Sequence, residues 1–324
     1  MGAKPEPLVS VGIITYNQEM FIADCIDSVL DQTYKNITIV IADDASTDAT
    51  PSIVREYANH YPNIKAVLAA ENKGIAHNFN RTLQSLGGDY LAVFDGDDLM
   101  YPSKVEQQVH YLDANADVIA CAHDMDVFDQ SKGQVIGRFS SIFSRKKPKG
   151  KMGVEFLFDA PLLLSPGSFM YRRNFCPLFD PRLKYYSDVL HAVETFKNGK
   201  LGYIDEVLGV HRDHGKNATK SSDLLRVWFE EQLIVLAITT ARYPELSKLV
   251  KTRRTQAYIT RIGRCLLDGD KKRAKLFSKA LFFEGAYLNG VLLLALSNVV
   301  SGDLIQRLLK SDNKVVRAVV DNIV

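Results

Sequence analysis

Leu8-Val9-Ser10-Val11-Gly12-Ile13-Ile14-Thr15, followed by apolar residues at helical spacing from Met20 to Leu30 and then by Ile37-Thr38-Ile39-Val40-Ile41-Ala42-Asp43, is the stretch that decides the fold. A short unbroken apolar run bounded by polar residues reads as a buried strand, and a 3.6-residue spacing reads as a helix. The alternation then repeats. A helix is expected over Pro51 to Tyr61, with the proline near its start, and a third strand over Ile64 to Ala70. A helix from Ile75 to Leu86 ends at Gly87-Gly88, Tyr90 to Asp95 forms a fourth strand, and a helix around Ser103 to Leu112 leads to a fifth strand over Asp117 to Asp124. Such alternation predicts an α/β fold, a mostly parallel Rossmann-like sheet flanked by helices. Ligands of such sheets bind outside the carboxyl ends of the strands, so the residues that follow each strand matter most.

Beyond this region the pattern changes. The segment from Gln130 to Ala218 is less regular and holds a basic run from Arg145 to Lys151, expected as a loop. From Ser221 the sequence reads as helical, with helices expected over Leu224–Thr240, Leu246–Leu267, Lys272–Val299 and Leu304–Ile323, parted by Pro244, Gly269-Asp270 and Gly302-Asp303. Two domains are expected, 1–220 and an all-helical C-terminal extension, 221–324.

Composition narrows the class. The 324 residues are 46% apolar and 24% charged, which excludes a mostly disordered chain. The four cysteines, Cys25, Cys121, Cys176 and Cys265, form no C-x-x-C pair, so neither a zinc cage nor a redox couple is expected, and a reducing, cytoplasmic compartment is. The most apolar stretch, Ala286 to Val300, is too short to span a bilayer, and the amino terminus carries no apolar leader. The net charge of +2 conceals an asymmetry: residues 1–130 hold 7 Lys+Arg against 20 Asp+Glu, and residues 131–324 hold the other 33 against 18. A cation is expected at the acidic front, and anionic groups near the basic back.

Chemistry concentrates at two strand ends. The second strand runs into Asp43-Asp44-Ala45-Ser46-Thr47-Asp48, and the fourth into Asp95-Gly96-Asp97-Asp98. Three carboxylates within four residues repel one another unless a cation or protons intervene. Hard oxygen ligands of this kind suit Mg²⁺ or Mn²⁺, which in turn suit phosphate oxygens. The Asp95 cluster lacks the Gly and Glu spacing of an EF-hand. A phosphatase with an Asp-x-Asp nucleophile would place that pair after its first strand, not its fourth.

Taken in order, Val9–Asn17, Asp43-Asp44-x-Ser46-x-Asp48, Asn72-Lys73-Gly74, Asp95-Gly96-Asp97-Asp98, Gly167–Arg173, Tyr186–Leu190 and Ile204–His214 resemble the successive motifs of family 2 glycosyltransferases. The resemblance covers roughly residues 8–217 and implies the GT-A fold and an inverting sugar transfer of the bacterial surface-polysaccharide type. It implies that Tyr16 and Asp44 hold the nucleobase, that Asp95 faces the ribose or the metal, and that Asp97 and Asp98 hold Mn²⁺ or Mg²⁺ on the diphosphate. It places Asp188 as the general base, with a helix-start carboxylate as the plain alternative. His214, then His211, would reach the metal, and Arg212 would neutralise phosphate charge. Where the family often carries Arg-Asn, this chain has His77-Asn78, so Lys73 or Arg81 is expected to supply the cation beside the nucleotide.

The implied partners are a nucleotide-sugar donor, most simply a UDP-sugar, and a glycan or lipid-linked acceptor; no nucleic acid is expected. The helical tail reads as a packing and dimerisation module. The alternative is a platform for peripheral contact with the inner face of the plasma membrane through Lys271-Lys272-Arg273-x-Lys275 with Phe277, Leu281, Phe282 and Phe283. Two other functions compete: a metal-dependent nucleotidyltransferase, which would not need Asp188, and a nucleotide-sugar-binding scaffold without catalysis.

Overall fold

A computed structural model describes residues 5–144, 148–159, 164–215, 217 and 224–283. The chain divides into two compact units, Met1–Val227 and Trp228–Val324.

The first unit follows the expected alternation: β1 (Val9–Thr15), α1 (Ile22–Leu30), β2 (Ile37–Asp43), α2 (Thr50–His60), β3 (Ile64–Leu68), α3 (Ile75–Ser85) and β4 (Tyr90–Asp95). After a two-residue strand β5 (Leu99–Met100) come α4 (Lys104–Ala114) and β6 (Val118–Asp129). β1 pairs in parallel with β2 on one side and β4 on the other, and β2 with β3. Every residue of β1 is buried, because helices cover both faces of the sheet. Val9, Val11 and Ile13 point to one face, where Ile22, Cys25, Ile26 and Val29 of α1 meet them. Ile14 points to the other, toward Ala76, Phe79 and Leu83 of α3. Each fully buried Val or Ile of this kind stabilises the fold by about 1.5–3 kcal/mol. Gly12 lies between them, where a Cβ would collide with Thr82, so α3 packs directly on the β1 backbone.

The middle of the chain is more ordered than its sequence suggests. β6 turns into β7 (Gln134–Arg138) and α5 (Phe139–Phe143), followed by β8 (Lys151–Met152), α6 (Phe156–Asp159), β9 (Met170–Arg172), α7 (Ser187–Phe196) and a long β10 (Lys200–Asp213). The sheet runs β3-β2-β1-β4-β9-β6-β10-β5, with β9 antiparallel between β4 and β6, and β10 parallel to β6. β10 escapes a sequence reading for a physical reason. Asp205 and Glu206 are exposed at register shifts between Ile204 and Val210, and the bulge breaks the period-two alternation. Lys151, expected within a loop, lies instead in β8, paired with β10, and its Nζ meets Asp117 at 2.6 Å. Arg145 to Lys147 lie outside the described residues.

In the second unit, α8 (Leu224–Arg242), α9 (Ser247–Leu267) and α10 (Lys271–Phe283) match three expected helices as far as they are described. α8 starts before the unit boundary. The α9–α10 turn uses Gly269 at φ 75°, and the Asp270 N–H donates to the Cys265 carbonyl at 2.8 Å. Ile262, Cys265, Leu266, Ala274 and Leu281 form the core between these helices, with Phe277 against them. Phe277 and Leu281, which the alternative reading placed on a membrane-facing surface, therefore pack inward; among the described side chains of α10, the large apolar one that is exposed is Leu276. The Ser221 boundary, the segment Ala286 to Val300 and the helix Leu304–Ile323 fall outside the described residues, as do the side chains of Phe282 and Phe283. Among the described residues no helix is long and apolar enough to cross a membrane.

Candidate active site

The loops after β1 and β2 are stitched together by their own side chains. Asn17 adopts a left-handed conformation (φ 52°), its N–H donates to Ser46 Oγ at 2.8 Å, and its Oδ1 accepts from the Thr47 N–H at 2.8 Å. Asp43 accepts from the Ser46 N–H at 2.9 Å, and Asp48 from the N–H groups of Glu19 and Thr50. Asp43 and Asp48 thus build the loop. Asp44 plays a different part. Its Oδ2 accepts from the N–H groups of Lys73 (3.1 Å) and Gly74 (2.7 Å) at the start of α3, and Arg81 Nη2 stands 3.4 Å from Oδ1. Arg81 also donates to the Asp43 carbonyl and to Asn78 Oδ1. The Lys73 ammonium is turned away onto Glu71, at 2.7 Å. Of the two cations expected near the nucleotide, Arg81 is the one beside Asp44. Tyr16, directly after β1, leaves 46% of its surface exposed, and the residue before it, Thr15, accepts from the Asp44 N–H at 3.0 Å through its carbonyl.

The second cluster lies one strand away, at the end of β4. The Asp98 N–H donates to the Asp95 carbonyl at 3.1 Å, which folds the turn tightly. Asp97 Oδ2 meets His214 Nε2 at 2.9 Å. Asp98, expected beside Asp97 on a metal, is fully buried: its Oδ1 accepts from the Arg212 N–H at 2.9 Å, and its carboxylate pairs with His211 Nδ1 at 3.2 Å. Burial and the charges of Asp98 and Asp97 push the Asp95 carboxyl well above the usual carboxylate range. Burial also raises Asp98, against the opposing pull of His211. Burial alone would depress His211, but its hydrogen bond to Asp98 and the surrounding carboxylates raise it to about 9, so it carries a proton at neutral pH. Arg212, expected on phosphate, sends Nη2 to Asp24 of α1 at 2.8 Å.

These strand ends suit a divalent cation of a particular kind. Among the described residues, no three acidic, histidine or cysteine side chains converge closely enough to hold an ion by themselves. Asp97 and His214 offer one hard oxygen and one imidazole, beside a carboxylate, Asp95, whose charge is poorly compensated. Magnesium-like ions are commonly held by one or two carboxylates, with substrate phosphates and water completing the shell. The donor set therefore fits an ion shared with a diphosphate and does not fit one caged by protein alone.

Asp188 sits in the first turn of α7, exposed, with Oδ1 accepting from the Val189 N–H at 2.7 Å. Its charge reaches Tyr171 on β9, whose hydroxyl is pushed well up, chiefly by burial. Sequence reasoning did not single out Phe21 and Asp24, which contact His214 and Arg212. Nothing in a linear pattern marks an aromatic at a helix start as facing a histidine almost two hundred residues later.

Comparison with known proteins places this architecture. The model of the family described as "Glycosyl transferase family 2" matches residues 10–177. An uncharacterized protein of Mycobacterium tuberculosis is 32% identical over 231 residues, covering 68% of this chain and 63% of that relative's length. In three dimensions the chain resembles S. aureus TarS 1-349 with a TM-score of 0.64 at 16% identity, over 93% of this chain and 91% of that one. TarS 1-349 has also been solved in complex with UDP-GlcNAc. The mannosyltransferase PcManGT from Pyrobaculum calidifontis, in complex with GDP-Man and Mn²⁺, superposes with a TM-score of 0.50 at 18% identity, over 98% of this chain and 79% of that one. With its α/β sheet, its acidic strand ends and a family match over more than half its length, the chain belongs to glycosyl transferase family 2.

Proposed function

We propose that this protein moves one sugar from a nucleotide-sugar donor, a UDP-sugar first among them, to a hydroxyl of a glycan or lipid-linked acceptor, with inversion at the anomeric carbon. The observation that carries this reading is the meeting of Asp97 with His214 at 2.9 Å, on the same side of the sheet as Asp44 and the exposed Tyr16. Tyr16 stacks on the base, Asp44 accepts from a ring N–H, and Arg81 offers a donor to the adjacent carbonyl. The ribose lies toward Asp95. Asp97 and His214 would hold Mn²⁺ or Mg²⁺, and such an ion would supply positive charge to the departing diphosphate. Asp98 supports them from within by fixing the end of β10. An Asp188 carboxylate oxygen takes the proton of the acceptor hydroxyl as the hydroxyl oxygen bonds to the anomeric carbon. The bond to the nucleoside diphosphate breaks on the opposite face, and the electron pair leaves with it, so an α-linked donor gives a β-linked product.

The UDP-GlcNAc bound by TarS and the GDP-Man and Mn²⁺ bound by PcManGT support a nucleotide-sugar donor and a metal. A role in surface-polysaccharide assembly on the cytoplasmic face rests on the family resemblance. Contact with a membrane surface through the helical tail rests on the basic residues of α10, since Phe277 and Leu281 face inward, and contact with a second copy rests on the tail's helical make-up alone. The testing experiment is thermal unfolding with UDP, GDP, dTDP and CMP, each with and without Mn²⁺. Ligand at about a hundred times its dissociation constant stabilises by about 2.7 kcal/mol. A rise with one nucleotide that needs Mn²⁺ and disappears in Asp97→Asn is expected. No rise with any nucleotide in a folded sample would defeat the reading.

A further inference from the structure

The end of β10 is held against the start of α1 by one aromatic ring. Phe21 stands at the N-cap of α1, its N–H donating to the Gln18 carbonyl at 2.9 Å, so its backbone is fixed by the turn that precedes the helix. The His214 imidazole stacks on the Phe21 ring, with centroids 4.8 Å apart and planes 24° from parallel. The Arg212 guanidinium lies 5.4 Å from the same ring centroid and reaches on to Asp24, one helical turn along, at 2.8 Å. The short segment between these two residues is clasped by Asn217, which donates to the Arg212 carbonyl at 3.0 Å and accepts from the His214 N–H at 2.6 Å. Backbone and ring together leave His214 Nε2 directed at Asp97.

We propose that Phe21 is a positioning residue for the metal–diphosphate site. It sets the plane of the His214 imidazole, and Asp24 keeps the Arg212 guanidinium against the same ring, so that His214 is presented to a bound cation in a single orientation. The physical basis is general. A ligand held in place costs less to order on binding than one that swings, and residues that orient a ligating imidazole typically change metal affinity by 10–100-fold. The inference rests on the reading of Asp97 and His214 as the metal-binding pair, and goes beyond it by placing control of that pair on α1.

The test is a Mn²⁺ titration of the full chain, read from the electron paramagnetic resonance of free Mn²⁺, with and without whichever of UDP, GDP, dTDP and CMP gives the largest thermal shift. Phe21→Ala is expected to weaken Mn²⁺ binding about 10-fold or more, while Phe21→Tyr, which keeps the stacking face, stays within about threefold of the parent. Phe21→Leu fills much of the same volume without the flat ring, and serves where the alanine variant does not fold; it too should bind Mn²⁺ weakly at an unchanged unfolding temperature. Mn²⁺ binding by Phe21→Leu equal to that of the parent would overturn the proposal while leaving the metal site standing. A parent protein that takes up no Mn²⁺ with any of the four nucleotides would overturn the metal-site reading itself, and this inference with it.

Discussion

Asp97 and His214 lie 117 positions apart in the chain and 2.9 Å apart in space. The first follows β4, the second follows β10, and the contact exists because β10 crosses the sheet beside β6 and pairs its end, Gly209 and Val210, with Met100 and Leu99 just beyond the acidic turn. The neighbouring contact of His211 with Asp98 has the same origin but a different environment, since the Asp98 side chain is 1% exposed.

Those two histidines should therefore respond oppositely to substitution. His214→Ala removes a group that faces the proposed cation, so Mn²⁺-dependent nucleotide binding should weaken at least about 10-fold; it also removes the stack on Phe21, but leaves behind Asp97, 11% exposed, so its stability loss should be smaller than that of His211→Ala. His211→Ala leaves the Asp98 carboxylate buried without its cation, and should cost about 3–5 kcal/mol of stability. Paired denaturant titrations and nucleotide binding curves distinguish them. Equal stability losses in both variants would mean that His214 is structural.

Asp188 separates catalysis from binding. Its place in the first turn of α7 contributes about 0.3–1 kcal/mol through the helix dipole, whatever its chemical role. If its carboxylate takes the acceptor proton, Asp188→Asn should lower kcat by about 10²–10⁴-fold while the nucleotide-induced thermal shift stays at the parent value. Product formation from a nucleotide-sugar, measured alongside that shift, decides the matter. A fully active Asp188→Asn would reduce Asp188 to a helix-start carboxylate.

The base-binding end should divide in the same way. Asp44 satisfies the N–H groups of Lys73 and Gly74 at the start of α3, so Asp44→Ala should cost about 1–3 kcal/mol of stability as well as nucleotide affinity. Tyr16 is nearly half exposed, and Tyr16→Ala should leave stability within about 0.5 kcal/mol. It should weaken nucleotide binding by the worth of one aromatic–base stack, about 1–3 kcal/mol. Calorimetric titration of the nucleotide into both variants, with unfolding curves beside them, checks the division. Undiminished binding by Tyr16→Ala would move the base elsewhere.

The regular half of the fold was legible because β1, β2 and β4 are buried on both faces and so are written as largely apolar runs, with helices of clear period between them. Tyr16, Asp44, Asp97 and Asp188 drew attention in the sequence because they follow strands or open a helix at positions where family motifs fall, and their roles remain part of the proposal. What could not be read was whatever depends on a bulge or on long-range packing. β10 was hidden by Asp205 and Glu206 at its register shifts. The inward turn of Asp98 follows from the path of β10, which no local pattern encodes. Arg81 and Lys73 were both readable as the cation near Asp44; only the folded chain shows Arg81 at 3.4 Å from Asp44, with the Lys73 ammonium on Glu71.

His191 gives the fold an acid limit that is independent of the site's chemistry. It is buried in α7, stacked on Phe179 with centroids 4.2 Å apart and edge-on to Tyr171 at 5.5 Å. Burial pushes its pKa down to about 4, against a smaller opposing influence from the Pro177 carbonyl. The unfolded chain binds this proton near pH 6.5 and the folded chain only near 4, so between those values the unfolded state carries more protons. Stability from the neutral imidazole is therefore complete above about pH 6.5 and is lost as pH falls toward 4, by up to about 3 kcal/mol. His191→Leu, an apolar side chain of similar size, should flatten that part of the acid limb, whatever it does to stability at pH 7. Urea unfolding of parent and variant at pH 7, 6, 5 and 4.5 measures the slope, and parallel curves would show that His191 is already accessible to protons in the folded state.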